Sequence, residues 1–268
     1  MGEMSGIGEF ARVGTKAALE AGRLLMKHVR TDFAVAHKGD VNLVTEIDIA
    51  AEELIVGRIL EAFPSHTILA EESSPEARRG SHTWIIDPLD GTTNYAHGFP
   101  FFCVSIGLEI EGELEWGVVY NPNLDELFAA HRGHGALLND EPIRVSKVSS
   151  LNSSLLATGF PYDIRTSEQN NLDYFREFAL RAQAVRRAGS AALDLCYVSS
   201  GRFDGFWELK LSPWDCAAGY LMVREAAGRV TDFKGEPGTI YGKECIASNG
   251  LIHHEMLDVF REMASVTT

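Results

Sequence analysis

The sequence predicts an α/β (α+β) protein built as two intimately packed halves, residues 1–145 and 146–268. Three observations carry this. Apolar residues at helical spacing alternate along the chain with short apolar runs of strand length. No internal repeat, low-complexity stretch or Pro/Gly-rich linker interrupts it, which argues against two separate beads. The 268 residues, 45% hydrophobic and 23% charged, suffice for a large core.

Ile7, Phe10, Val13, Ala17, Ala21, Leu24 and Leu25 mark the apolar face of a helix from residue 5 to about 30. Thr45, with Asp48 three residues on, forms a capping box, and Ile47, Ala51, Leu54, Ile55 and Ile59 continue a helix that Pro64 stops. Thr67–Ala70 and Thr83–Ile86 read as buried strands. From Phe101 to about Ile143 the pattern becomes hairpins, turning at Glu111-Gly112 and Asn139-Asp140. A strand at Leu155–Thr158, a helix at Asn171–Arg181, a strand at Gln183–Arg186, a helix at Ser190–Ser200 and a strand at Phe203–Leu209 follow. The strongest helix is Pro213–Ala227. Ser212 is its N-cap, Pro213 stands at N1, and Trp214, Ala217, Ala218, Leu221, Met222 and Ala226 share its buried face, with Gly228 as terminator. Strands near Val230 and at Cys245–Ser248 and a C-terminal helix complete the series.

With 24 Lys plus Arg against 38 Asp plus Glu, the formal charge is −14. Nucleic acids and anionic membranes need a basic footprint, so neither is an expected partner. An anionic substrate must then be attracted by something other than net charge, and a bound cation is the plain candidate. The first residues carry neither a basic region nor an apolar core, so no secretory signal is read. The longest mostly apolar stretch, Phe99–Leu108, is half of the ~20 residues a membrane span needs and is broken by Pro100 and Gly107. Cys103, Cys196, Cys216 and Cys245 lie far apart with no C-x-x-C pair and read as buried, reduced thiols. The expected location is cytoplasmic.

The most informative stretch is Trp84-Ile85-Ile86-Asp87-Pro88-Leu89-Asp90-Gly91-Thr92-Thr93-Asn94. An apolar strand ends in two aspartates three apart, where carboxylates can converge on a hard cation such as Mg²⁺. Gly91 permits close backbone approach, and Gly91–Asn94 can open a helix whose free N–H groups hold phosphate. The same residues also read as an acidic turn with Asx capping. Ala70-Glu71-Glu72-Ser73 again puts acids after an apolar strand; only one of two neighbours in extended backbone can face a site, and Glu71 is the candidate. Asp215, at N3 opposite Ser212, and Asp48, opposite Thr45, are each explained by capping as well as by a place in a site.

Together these segments resemble the inositol monophosphatase family, the Mg²⁺-dependent, lithium-sensitive sugar-phosphatase superfamily, over essentially the whole chain. The anchors are Trp84–Asn94, Glu71-Glu72-Ser73, and Trp214-Asp215-x-Ala217-Ala218-Gly219 running on to Glu225-Ala226-Ala227-Gly228. Tyr95 stands where Phe is commoner and Ala227 where the family has Gly. The resemblance implies a layered αβαβα sugar-phosphatase fold. It implies that Glu71, Asp87 and the Leu89 carbonyl hold one Mg²⁺, that Asp87, Asp90 and Asp215 hold a second, and that Glu71 reaches a third through water. Asp48 with Thr92 would orient and deprotonate the attacking water, Gly91 and Thr92 would bind phosphate through their N–H groups, and Glu208 would bind substrate hydroxyls. The Gly189-Ser190-Ala191 turn lies where the family touches the sugar; the resemblance also implies that Asp90 and Asp215 bind substrate and that Glu71 is catalytic. Lys38 matches a basic residue of the loop that closes over the metals, and also reads as an ordinary exposed lysine. A homodimer is implied.

Phosphate-monoester hydrolysis is among the slowest uncatalysed reactions, so charge stabilisation and positioning must supply the rate, and divalent cations turn a carboxylate cluster into an anion site. The expected substrate is a small phosphorylated polyol or sugar, by default myo-inositol monophosphate. Fructose 1,6-bisphosphate, histidinol phosphate and an adenosine 3′,5′-bisphosphate are alternatives, the last disfavoured by Thr93-Asn94 after Gly-Thr. A transcription-associated role, known for some bacterial members, is the non-enzymatic alternative. Two decoys are set aside. Cys196 to Arg202 has the C-x5-R spacing of cysteine phosphatases but falls on a helix without the glycines of a phosphate loop. His131-Arg-Gly-His134 has no third zinc ligand in view and reads as a turn.

Overall fold

The structure is a computed structural model that describes residues 3–31, 35–37, 43–73 and 80–266; Lys38 lies outside the described residues. Helix α1 (Glu3–His28) leads through a short antiparallel pair, β1 (Val35–His37) and β2 (Leu43–Thr45), to α2 (Glu46–Ala62). Next come β3 (Thr67–Ala70), β4 (His82–Asp90), the short α3 (Thr92–Ala96), and the meander β5 (Cys103–Ile110), β6 (Glu113–Asn121), β7 (Glu126–His131), β8 (Gly135–Leu138) and β9 (Glu141–Ile143). The rest of the chain gives β10 (Leu155–Thr158), α4 (Leu172–Arg181), β11 (Ala184–Arg186), α5 (Ala191–Ser199), β12 (Gly205–Leu209), α6 (Pro213–Glu225), β13 (Arg229–Thr231), β14 (Glu244–Ser248) and α7 (His253–Val266).

Among the described residues, β3 to β9 form a seven-stranded sheet in sequence order, with β3 parallel to β4 and the others antiparallel. The second sheet has five strands in the order β11-β10-β12-β14-β13. The turns read at Glu111-Gly112 and Asn139-Asp140 carry positive φ at both residues, the tight hairpin geometry.

Apolar faces stack these elements into five layers. Ala17, Ala21, Ile55 and Ile59 of α1 and α2 pack on Trp84, Ile106 and Val118 of the larger sheet. The sheet's other face, through Val119 and Phe128, meets Ala192, Leu221 and Met222 of α5 and α6. Those two helices pack in turn on Ala157, Phe206 and Ala247 of the smaller sheet. Phe178 of α4 and Met256 and Phe260 of α7 close the far side over Trp207 and Ile246. The order is α, β, α, β, α, as the resemblance implied. Each fully buried large side chain contributes about 1.5–3 kcal/mol.

The seat of α6 is set by small residues. Gly107 and Gly117 are cross-strand partners, and a Cβ on them would come within 2.9 Å of the Ala217 Cβ and 3.0 Å of the Ala218 Cα, respectively. Backbone therefore lies directly on backbone, which fixes where the first turn of α6 points. Two details differ from the sequence reading. Past the C-cap Ala226, it is Ala227 rather than Gly228 that takes the terminating left-handed turn, with φ 69°. Gly228 serves another need, since a Cβ there would lie 2.7 Å from the Ser248 carbonyl oxygen. Trp214 packs against the core but is only half-buried, because the fully buried stretch starts at Cys216.

Candidate active site

Strand β4 runs four residues beyond the expected strand, to Asp90. Its pairing sets Asp87 opposite Ser105 and Asp90 opposite Cys103, so three steps on β4 match two on β5 and one residue bulges out. Pro88, with no N–H to give the ladder, lies in that bulge. Residues three apart on a regular strand face opposite sides; the extra residue returns both aspartates to one face.

Asp87 is buried, and its Oδ1 accepts the Leu89 N–H at 3.0 Å. Asp90 Oδ2 accepts from Ser190 Oγ and from the Ala192 N–H, both at 2.7 Å, which ties the end of β4 to the first turn of α5. Asn94 adds to this joint: its Nδ2 donates to the carbonyls of Phe101 at 2.7 Å and Ala188 at 2.9 Å. Gly91 fits between them only as glycine, having φ 98° and a would-be Cβ 2.9 Å from the Phe101 carbonyl oxygen. Gly189, in the turn before α5, faces it, also at positive φ.

Both capping boxes are present. Thr45 caps α2, and the Asp48 carboxylate accepts from the Thr45 N–H at 2.8 Å and from the Thr45 hydroxyl. Its other oxygen, Oδ1, accepts from Thr92 Oγ1 at 3.0 Å, and that hydroxyl also lies 3.1 Å from the Leu89 carbonyl oxygen. Ser212 caps α6, and Asp215 Oδ2 accepts the Ser212 N–H at 2.6 Å. Capping and proximity to the site are thus compatible at both positions.

Electrostatics join the acids into one group. Desolvation, then the charges of Glu71, Asp90 and Asp215, push the Asp87 carboxyl well above the ordinary range. Asp215 is raised by desolvation and next by Asp90, with Glu71 and Glu208 adding to it against the Ser212 N–H. Desolvation takes Asp90 up to about 6 despite its bonds from Ser190 and Ala192. Asp48 is raised by burial and partly restored by Thr45 and Thr92. Glu71 stands at the end of β3, its N–H bonded to the Ile86 carbonyl at 3.3 Å. The charge of Glu71 therefore acts on both Asp87 and Asp215.

A cleft of about 290 Å³ opens beside this group, lined by Asp90, Gly189, Ser190, Glu208 and Asp215 together with residues the sequence reading did not select, among them Tyr162, Arg187 and Asp194. Desolvation pushes Glu208 up to about 8, with Arg187 acting against it and Asp90 with it. A Cβ on Gly159 would collide with the Glu208 carboxylate, so that glycine makes the room for it. Among the described residues, no three His, Cys, Asp or Glu side chains close on a shared coordination centre. Asp90 and Asp215 each direct an oxygen to a backbone N–H instead, and un-neutralised carboxylates repel. The donor set nevertheless suits a hard divalent cation in chemistry: carboxylate oxygens in mutual repulsion, Asp87 buried and the others half-buried.

The sequence profile of the inositol monophosphatase family matches residues 8–264. The chain belongs to the inositol monophosphatase family. It is 44% identical over 246 residues to the Nus factor SuhB of Pseudomonas aeruginosa, covering 88% of this chain and 90% of that protein. An inositol-1-monophosphatase of Mesorhizobium japonicum is 41% identical over 256 residues, covering 94% of this chain and 96% of its own. The solved inositol monophosphatase of Anabaena (Nostoc) sp. PCC 7120 superposes with a TM-score of 0.88 at 43% identity, covering 96% and 97% of the two chains. This inositol monophosphatase-family chain thus has the fold of metal-dependent phosphatases that act on small phosphorylated substrates. No helix among its described residues is long and apolar enough to cross a membrane.

Proposed function

We propose that the chain is a Mg²⁺-dependent phosphomonoesterase of a small sugar or polyol phosphate, with myo-inositol monophosphate as substrate. The observation that carries this is the mutual repulsion of Glu71, Asp87, Asp90 and Asp215 beside the cleft, a group of hard donors close enough to raise one another. Glu71, Asp87 and the Leu89 carbonyl would hold one ion, Asp87, Asp90 and Asp215 a second, and Glu71 a third through water. The chemistry a metal supplies there is a lowered pKa for bound water and charge to offset the phosphoryl oxygens.

The chain's own residues do the remainder. Thr92 Oγ1, 3.0 Å from Asp48 Oδ1, passes a proton from the attacking water to that buried carboxylate. The Gly91 and Thr92 N–H groups hold the phosphate, Gly91 keeping the backbone close. Glu208 accepts from substrate hydroxyls, and Gly189 and Ser190 shape the sugar side of the cleft, held there through Asp90 and Asn94. The test is a panel of phosphate esters with Mg²⁺, comparing kcat/KM, with a chelator control. Hydrolysis of myo-inositol 1-phosphate that stops with chelator supports the reading; activity that survives the chelator contradicts it.

The reading includes a cytoplasmic homodimer. Four free, buried cysteines support the reducing compartment, and light scattering tests the dimer. The Nus factor name of the P. aeruginosa relative favours a second, transcription-associated role. A partner captured equally by wild type and by Asp90→Asn supports that role as independent of catalysis.

A further inference from the structure

Helix α5 is apolar almost throughout: Ala192, Leu193, Leu195, Cys196 and Val198 are fully buried. Asp194 is buried among them at 1% exposure, and its Oδ1 has no hydrogen-bond partner in the described structure. A carboxyl in that condition normally costs stability, and an apolar residue would fill the place better. Yet Asp194 lines the cleft that Glu208, Arg187 and Asp215 line. Of the charges that reach it, Glu208 and Asp90 are alike and Arg187 alone is opposite.

We propose that Asp194 is a specificity-determining residue, which accepts a hydrogen bond from a ring hydroxyl of the substrate next to the hydroxyl that Glu208 accepts. The proposal rests on the reading of the cleft as a phosphatase site. Glu208 and Asp194 line the same cleft, each within the field of Arg187, and bring two carboxyl acceptors to it. Hydroxyls on adjacent carbons of a polyol are the complementary donors. The unpaired acid is the stability cost of that recognition.

The experiment compares wild type, Asp194→Ala and Asp194→Asn on myo-inositol 1-phosphate, p-nitrophenyl phosphate and fructose 1,6-bisphosphate, with Mg²⁺ and with Tm recorded for each. In Asp194→Ala the ratio of kcat/KM for the inositol ester over the nitrophenyl ester falls by about tenfold, the worth of one lost hydrogen bond. Asp194→Asn, whose amide oxygen still accepts, loses less, and Tm stays level or rises in both variants. An unchanged inositol-to-nitrophenyl ratio overturns the proposal, as does an equal loss on all esters with a lowered Tm, which makes Asp194 structural. Wild-type protein that hydrolyses none of the three overturns the phosphatase reading itself, a result separate from either.

Discussion

The capping boxes of α2 and α6 are the same local device placed in different surroundings. At Thr45–Asp48 the acid is buried, and three hydrogen bonds from Thr45 and Thr92 occupy both its oxygens. At Ser212–Asp215 the acid spends Oδ2 on its own cap and lies half-buried at the cleft, in the field of Asp90, Glu71 and Glu208. The cap itself is settled within four residues of chain. What the acid is left to do is settled by other elements: Thr92 on α3 satisfies Asp48, whereas β3, β4 and β12 bring Asp215 only further acids. The first arrangement suits a proton acceptor, and the second a cation ligand.

The largest test of this contrast is Asp215→Asn, which keeps a side chain able to cap but removes its charge. Its kcat/KM falls about a thousandfold, while the metal-free Tm holds or rises as repulsion is relieved; wild-type turnover would reduce Asp215 to a cap. Next is Thr92→Val, which breaks the relay to Asp48. Phosphate-release assays should show kcat lower by about a hundredfold with KM little changed.

Stability against pH sharpens the same contrast. Glu208 is raised from 4.5 to about 8 and Asp90 from 3.8 to about 6, each mainly by desolvation. The folded protein therefore holds protons that the unfolded chain has released, and stability must fall as pH rises from about 4 to about 8. Metal-free melting curves across that window should show a falling Tm, and Mg²⁺ should restore more of it at pH 8 than at pH 5, because the ion competes with the proton. The smallest effect lies at the other end of α6. Ala227 holds a φ of 69°, which glycine adopts without strain, so Ala227→Gly should stabilise by about 1 kcal/mol, or 2–4 °C in Tm.

Elements and caps were legible in the sequence because their causes are local: helical spacing up to Pro64, Ser212 before Pro213, paired turn residues at Asn139-Asp140. The candidate acids stood out in the sequence because they follow strand and helix ends. What was not legible is non-local. The bulge that turns Asp87 and Asp90 to one face depends on β5, and the bonds from Ser190 and Ala192 to Asp90 span about a hundred residues of chain. Glu52 is buried and receives the N–H groups of Glu72 and Ser73, both at 2.8 Å, holding the turn after Glu71; its only sequence signal was an acid amid helix-face alanines. Asp194 had a clearer one, a single charge in an apolar helix. Lys38 remains outside the described residues.

The central claim is that acids from β3, β4 and α6 act together as a metal site. Calorimetric titration of Mg²⁺ into the metal-free protein, wild type against Asp87→Asn, tests it most directly. Wild type should bind at least two ions per chain, and the variant should lose that binding with its fold retained. Equal binding by both proteins, or none by wild type, would contradict it.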